Sequence, residues 1–117
     1  MSAEWIFHKG KRILYINYGG LQKEEQLAQI RQAHRLLLES GSKENLTISD
    51  IRDMGVSQAF VDLAKQQGKL SGPITKKAAV LGVVGIRKVL LEAVNRFSGN
   101  PRKPFDTLED AKDWLVE

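Results

Sequence analysis

The sequence predicts an α/β domain built on one mixed sheet, and three observations predict it. Two strand-like runs at the start are separated by the short Gly-containing link Lys9-Gly10-Lys11, which marks an antiparallel hairpin. Strand-like and helix-like segments then alternate, the order of a sheet with helices packed on it. Near the end, Lys77–Val84 is apolar on both faces, as expected of a central strand. The order reads β-β-α-β-α-β-α-(β)-α, a single domain over residues 1–117.

Each element follows from its local pattern. Trp5–His8 and Arg12–Tyr18 are rich in branched and aromatic residues and form the hairpin, which Gly19-Gly20 ends. Gln22–Ser40 reads as a long helix, with Leu27, Ile30, His34, Leu37 and Leu38 as its apolar stripe, Ala33 beside it, and Gly41 as its stop. Leu46–Ile51 is the third strand: Leu46, Ile48 and Asp50 share one face, and Thr47, Ser49 and Ile51 the other. A helix over Val56–Gln67 buries Val56, Phe60, Leu63 and Ala64, and Gly68 with Ser71-Gly72-Pro73 forms a loop. After the strand Lys77–Val84, Gly85 opens a helix near Ile86–Phe97, with Val89, Leu90, Ala93, Val94 and Phe97 inward. Ser98-Gly99-Asn100-Pro101 is a turn, and Pro104-Phe105 is a short edge strand, where proline is tolerated. In the last helix Thr107 caps the first turn, with Asp110 reaching back as in a capping box, and Ala111, Trp114 and Leu115 make one apolar stripe against which Phe105 packs.

Composition narrows the function classes. Apolar residues make up 42% and charged residues 27%, which opposes disorder. The net charge of +4 comes from 18 basic and 14 acidic residues scattered along the chain, so it reads as a solvated surface and not as a nucleic-acid footprint. Trp5, Tyr15, Tyr18 and Trp114 read as core and interface aromatics. There is no cysteine, which excludes disulfides, thiolate metal sites and cysteine nucleophiles. No basic segment leading into an apolar stretch opens the chain, and its longest apolar run is too short to span a bilayer, so a cytoplasmic location is expected.

Two constellations carry polar chemistry. Asp50, Arg52 and Asp53 lie at the C-terminal end of a strand, where open α/β sheets place ligands. A Mg²⁺ site or a phosphoryl-accepting receiver pocket would use such carboxylates. A receiver, however, needs an acidic pair after its first strand, and here a hairpin ends in Asn17-Tyr18-Gly19-Gly20. The residues favour a local Asp–Arg salt bridge with an Asp53 cap on the next helix. The second constellation is Gly82-Val83-Val84-Gly85-Ile86-Arg87-Lys88, where Gly85, Arg87 and Lys88 are candidates to hold a phosphate or carboxylate at a helix start. The bland alternative is a tight strand-to-helix turn with a solvated Arg-Lys pair. Neither His8 nor His34 completes a metal or catalytic set, so no catalytic residue, metal or cofactor is assigned.

The hairpin, the strand ending Ile48-Ser49-Asp50-Ile51-Arg52-Asp53, the strand Lys77–Val84 and the closing Phe105-x-x-x-Glu109-x-Ala111-x-x-Trp114-Leu115 together resemble the SpoIIAA-like proteins of the STAS and Sec14-like superfamily. The resemblance spans nearly the whole chain. It implies a non-catalytic regulatory module, like the anti-sigma-factor antagonists, that binds a protein partner through the loop and helix after the third strand. In those antagonists a serine at that helix N-terminus is phosphorylated to switch partners. Ser57 is the nearest counterpart, although Asp53-Met54-Gly55-Val56-Ser57 stands where the antagonists carry an Asp-Ser-Ser-Gly motif. As a plain structural residue Ser57 would cap the helix. Asp50, Asp53 and Ser57 are thus the candidates for partner contact.

The Sec14-like relatives imply an alternative, a carrier or sensor of a small apolar or anionic ligand, with Arg87 and Lys88 receiving the head group. A carrier needs an internal cavity of at least about 300 Å³. The Leu, Ile, Val and Phe side chains suffice to fill a core of this size, which favours the interaction module. A homodimer through an edge strand or the half-polar sheet face is a further expectation.

Overall fold

In the computed structural model, residues 2–97 and 101–117 are described. The expected turn over residues 98–101 falls largely outside them, as does the side chain of Phe97. The chain forms β1 (Ser2–His8), β2 (Lys11–Asn17), α1 (Lys23–Glu39), β3 (Asn45–Asp50), α2 (Gln58–Ser71), a single 3-10 turn (Gly72–Ile74), β4 (Thr75–Leu81), α3 (Arg87–Phe97), β5 (Arg102–Phe105) and α4 (Leu108–Leu115).

The sheet runs β1-β2-β3-β4-β5, antiparallel between β1 and β2 and parallel thereafter. Lys9 and Gly10, both with positive φ (51° and 79°), make the two-residue hairpin turn, whose twist matches that of its strands. Because the parallel strands follow in sequence order, right-handed crossovers bring α1, α2 and α3 to one face. The last helix is no crossover and covers the other face. There Ala111 and Leu115 pack on Ile13, Leu46, Ile48, Ala79 and Leu81. Thr107 caps α4 as expected, accepting the Asp110 N–H at 3.1 Å. Phe105 meets Trp114 with ring centroids 5.3 Å apart. Asp113 binds His8 Nε2 at 2.7 Å and Lys9 Nζ at 3.3 Å, tying the hairpin turn to this helix.

The helical face departs from the expected pattern. In α1 the buried residues are Gln26, Gln29, Ile30, Ala33 and Leu37, while Leu27 is only partly buried and Leu38 is exposed. The two glutamines are tolerated inside because their amides find carbonyls. Gln26 donates to Leu21 O and Gly55 O (3.0 and 2.9 Å), and Gln29 to Asn17 O at 3.2 Å. Helix α2 runs through Gly68 to Ser71 instead of stopping at Gln67. Strand β4 starts and ends earlier than expected, because Gly82 turns out of it with φ 94°. Val83 and Val84 therefore leave the sheet for a loop. On α3, Val94 is buried, Leu90 and Ala93 are half-buried, and Val89, expected inward, is exposed.

Candidate functional site

Three loops converge at the C-terminal ends of β2, β3 and β4, the position at which parallel sheets present ligand sites. Tyr18 N–H donates to Asp50 O, Gly20 N–H to Asp53 O, and Ile51 N–H to Leu81 O, each at 2.9 Å. The Arg52 backbone threads between two glycines. A Cβ on Gly82 would stand 2.8 Å from Arg52 N, and one on Gly19 would stand 3.1 Å from Arg52 O. These glycines serve close backbone approach, not a phosphate loop.

Asp50 lies beneath this junction, 3% exposed. Its Oδ1 accepts Arg52 N–H (3.1 Å) and Nε–H (2.9 Å). Its Oδ2 accepts Arg52 Nη2–H (2.7 Å) and the Tyr15 hydroxyl (2.6 Å). Burial by itself would raise the Asp50 pKa, but the Arg52 guanidinium and the Tyr15 hydroxyl outweigh it and hold the carboxyl below its usual value. The same contacts act oppositely on the phenol: burial, then the Asp50 hydrogen bond, push Tyr15 up to about 12. Both carboxylate oxygens of Asp50 are thus engaged within the chain. Among the described residues, no group of three His, Cys, Asp or Glu could hold a metal ion.

Asp53 is exposed with a left-handed φ of 59°, and it does not cap the next helix as expected. Its carbonyl accepts the Gly20 N–H, so the chain turns there and α2 starts later, at Gln58. The Ser57 hydroxyl accepts the Phe60 N–H at 3.2 Å and is the N-cap. Ser57→Ala is expected to lower stability by about 1 kcal/mol, whereas Ser57→Asp, itself a good cap, should leave it nearly unchanged. Urea unfolding of both variants checks this.

Gly85, Arg87 and Lys88 do not converge on a common point. The N–H groups of Arg87 and Lys88 are spent on Val84 O and Gly85 O, both at 3.1 Å. The Arg87 guanidinium donates to Ile51 O (2.8 Å), Gly82 O (3.1 Å) and Met54 O, a staple between the β4–α3 turn and the β3–α2 loop. Lys88 points into solvent.

Beneath these loops the helical face is not filled. Thr47, Ser49 and Ala78 on the sheet lie opposite Ala64 and Gly68 on α2, and these small side chains leave a cavity of about 120 Å³. It is smaller than the ~300 Å³ of a drug-sized pocket. It approaches the roughly 150 Å³ cavity known to take up benzene. Tyr18 and Phe60, in edge-to-face contact at 5.2 Å, form part of its wall. Arg102, Gln67 and His34 also line it, and Arg102 Nη1, Gln67 Oε1 and His34 Nδ1 are buried with no hydrogen-bond partner among the described residues. Sequence reasoning missed Arg102, taking it for one of many surface cations. The available signal was parity: Phe105 faces α4, so Arg102, three residues earlier in the strand, faces the helices on the other side.

No family model matches this sequence, and no curated protein matches it. Solved structures are similar over nearly its whole length. One is an uncharacterized protein of the DUF3478 family with a SpoIIAA-like fold, from Shewanella loihica PV-4, with TM-score 0.74 and 21% identity, covering 97% of this chain and 92% of that one. Another is the protein TM1081, determined by NMR, with TM-score 0.64 and 9% identity, covering 100% of this chain and 90% of that one. At these identities the likeness is one of fold, and the expected SpoIIAA-like fold is the one observed. No helix among the described residues is long and apolar enough to cross a membrane.

Proposed function

We propose that the SpoIIAA-like fold serves here as a non-catalytic regulatory module that binds a protein partner through the β3–α2 loop and the adjoining β4–α3 turn. The observation that carries this reading is an exposed apolar patch: Val84, Ile86 and Val89 are 64%, 73% and 59% exposed. Apolar side chains gathered on one turn mark an interaction surface more than isolated ones do. The Arg87 staple holds this turn against residues 51–54, so the patch sits beside Asp53 and Ser57 on a fixed frame. Lys88, which is exposed, places positive charge at its rim, where Arg52 is already paired with Asp50. The partner surface that fits is apolar at its centre and acidic at its edge. A phosphate on Ser57 would add up to about two negative charges within this surface and change which partner it accepts.

The test is affinity capture from the protein's own host with the wild type, Ile86→Asp, and Phe7→Asp as an exposed control on β1. A partner held by the wild type and the Phe7 variant should bind the Ile86 variant at least about tenfold more weakly, as expected when a charge is placed in an apolar contact. Equal retention by the Ile86 variant would refute this surface.

A second reading, carriage or sensing of a small apolar or anionic ligand, is favoured by the cavity under α2 and α3. Its head group does not fall to Arg87, whose guanidinium is committed to backbone carbonyls.

A further inference from the structure

The most unusual group in the protein is the Arg102 guanidinium. It enters the cavity from β5, and Nη1 is buried without an acceptor. Burying a cation unpaired is costly, and folded chains ordinarily give such a group a carboxylate. None is supplied: among the described residues, the cavity wall carries Arg102 and Arg87 but no Asp or Glu.

The placement of Arg102 is well built. Its backbone N–H donates to Asn95 Oδ1 at 2.9 Å, and its carbonyl accepts from Asn95 Nδ2 at 3.2 Å, so α3 fixes the residue from both sides. Gly68 on α2 leaves room for the fork: a Cβ there would come within 3.2 Å of both Nη1 and Nη2. Gly68, expected in the loop with Ser71-Gly72-Pro73, instead sits inside the helix facing the arginine. Gln67 beside it carries an unpartnered amide that can turn its NH2 inward by a half-rotation. The remaining wall is mostly apolar, with Ile16, Ile30, Leu37, Val80, Leu91 and Val94 among its residues.

Resting on the ligand-carriage reading, we propose that this cavity binds a small carboxylic acid, its carboxylate paired with Arg102 and its apolar body between the sheet and α2–α3. A planar guanidinium matches a carboxylate with two parallel hydrogen bonds. The volume limits the apolar body to about the size of a benzene ring.

The experiment is calorimetric titration of the full chain with benzoate and isovalerate, and with their neutral counterparts benzyl alcohol and isoamyl alcohol. The acids should bind at least about tenfold more tightly than the alcohols, a margin typical of a buried charge-assisted hydrogen bond. Arg102→Met should erase that margin while keeping alcohol binding, and Arg102→Lys should retain part of it. The melting temperature of the unliganded Met variant should equal or exceed that of the wild type, because a guanidinium whose Nη1 is buried without an acceptor is removed. Alcohols binding as well as acids would overturn the Arg102 assignment and leave carriage standing. No binding of any of the four would overturn both. An acid preference that survives in the folded Met variant would likewise refute the role of Arg102.

Discussion

Gly82→Ala should be the most damaging single-atom addition in this protein, costing about 3 kcal/mol or more. Two independent effects combine. At φ 94° an L-residue is strained, by roughly 1–3 kcal/mol. The new methyl would also lie 2.8 Å from Arg52 N and 3.1 Å from Arg52 Cα. Those are backbone atoms, held by the Ile51–Leu81 hydrogen bond and the Asp50–Arg52 contacts, so they cannot step aside as the end of a side chain could. At about 4 °C per kcal/mol for a domain near this size, the melting temperature should fall by on the order of 12 °C. Gly10→Ala is the control: its φ is also positive, 79°, but nothing lies within 4 Å of the added carbon. A Gly82 loss no larger than the Gly10 loss would show that the loops do not depend on this close approach.

Asp50→Asn should cost about 2 kcal/mol at neutral pH and should change how stability responds to acid. The buried carboxylate accepts four hydrogen bonds, from Arg52 and Tyr15. Breaking a fully buried pair costs roughly 3–5 kcal/mol, and the figure here is lower because the Arg52 side chain is 48% exposed and water can serve it. The folded Asp50 pKa is depressed below the unfolded value of about 3.9. Its contribution is therefore fully present above that value and is lost as pH falls through the folded pKa. The gap between wild type and Asp50→Asn should narrow in that acid window. Tyr15 behaves in the opposite sense. Its pKa rises from 10.0 to about 12, so its contribution is present below pH 10 and lost as pH rises through about 12. Tyr15→Phe should flatten that alkaline limb. Urea unfolding from pH 2 to 12 reads both arms, and a wild-type-to-Asn gap that does not change with acid would refute the assignment.

Much of the local structure was legible because it depends on short-range rules. The hairpin follows from two strand-like runs joined across Lys9-Gly10, and the last helix from a threonine cap with an apolar stripe behind it. The Asp50–Arg52 pair was equally visible, since the residues are two apart at a strand end. Other features were not. Val83 and Val84 looked like strand because apolar residues do, but Gly82 must turn to clear Arg52, a contact between distant parts of the chain. Gln26 and Gln29 lie outside the apolar stripe that the α1 sequence shows, yet each is buried with its amide on a carbonyl from another segment. The Ser57 cap was legible, whereas the cap expected of Asp53 was not formed because its carbonyl is held by Gly20.

The sequence by itself determined the α/β class, the order of elements, the SpoIIAA-like resemblance and the residues of the strand-end loops, because periodicity and turn chemistry act over a few residues. Only the tertiary structure decided that Arg87 is a staple, that Val84, Ile86 and Val89 stand outside, and that Arg102 enters a cavity without a counter-ion. Those facts depend on which carbonyls, glycines and small side chains meet across the fold. The void under α2 exists because Thr47, Ser49, Ala78, Ala64 and Gly68, separated along the chain, come to face one another. Composition counts enough apolar volume to fill a core, but packing decides where that volume goes.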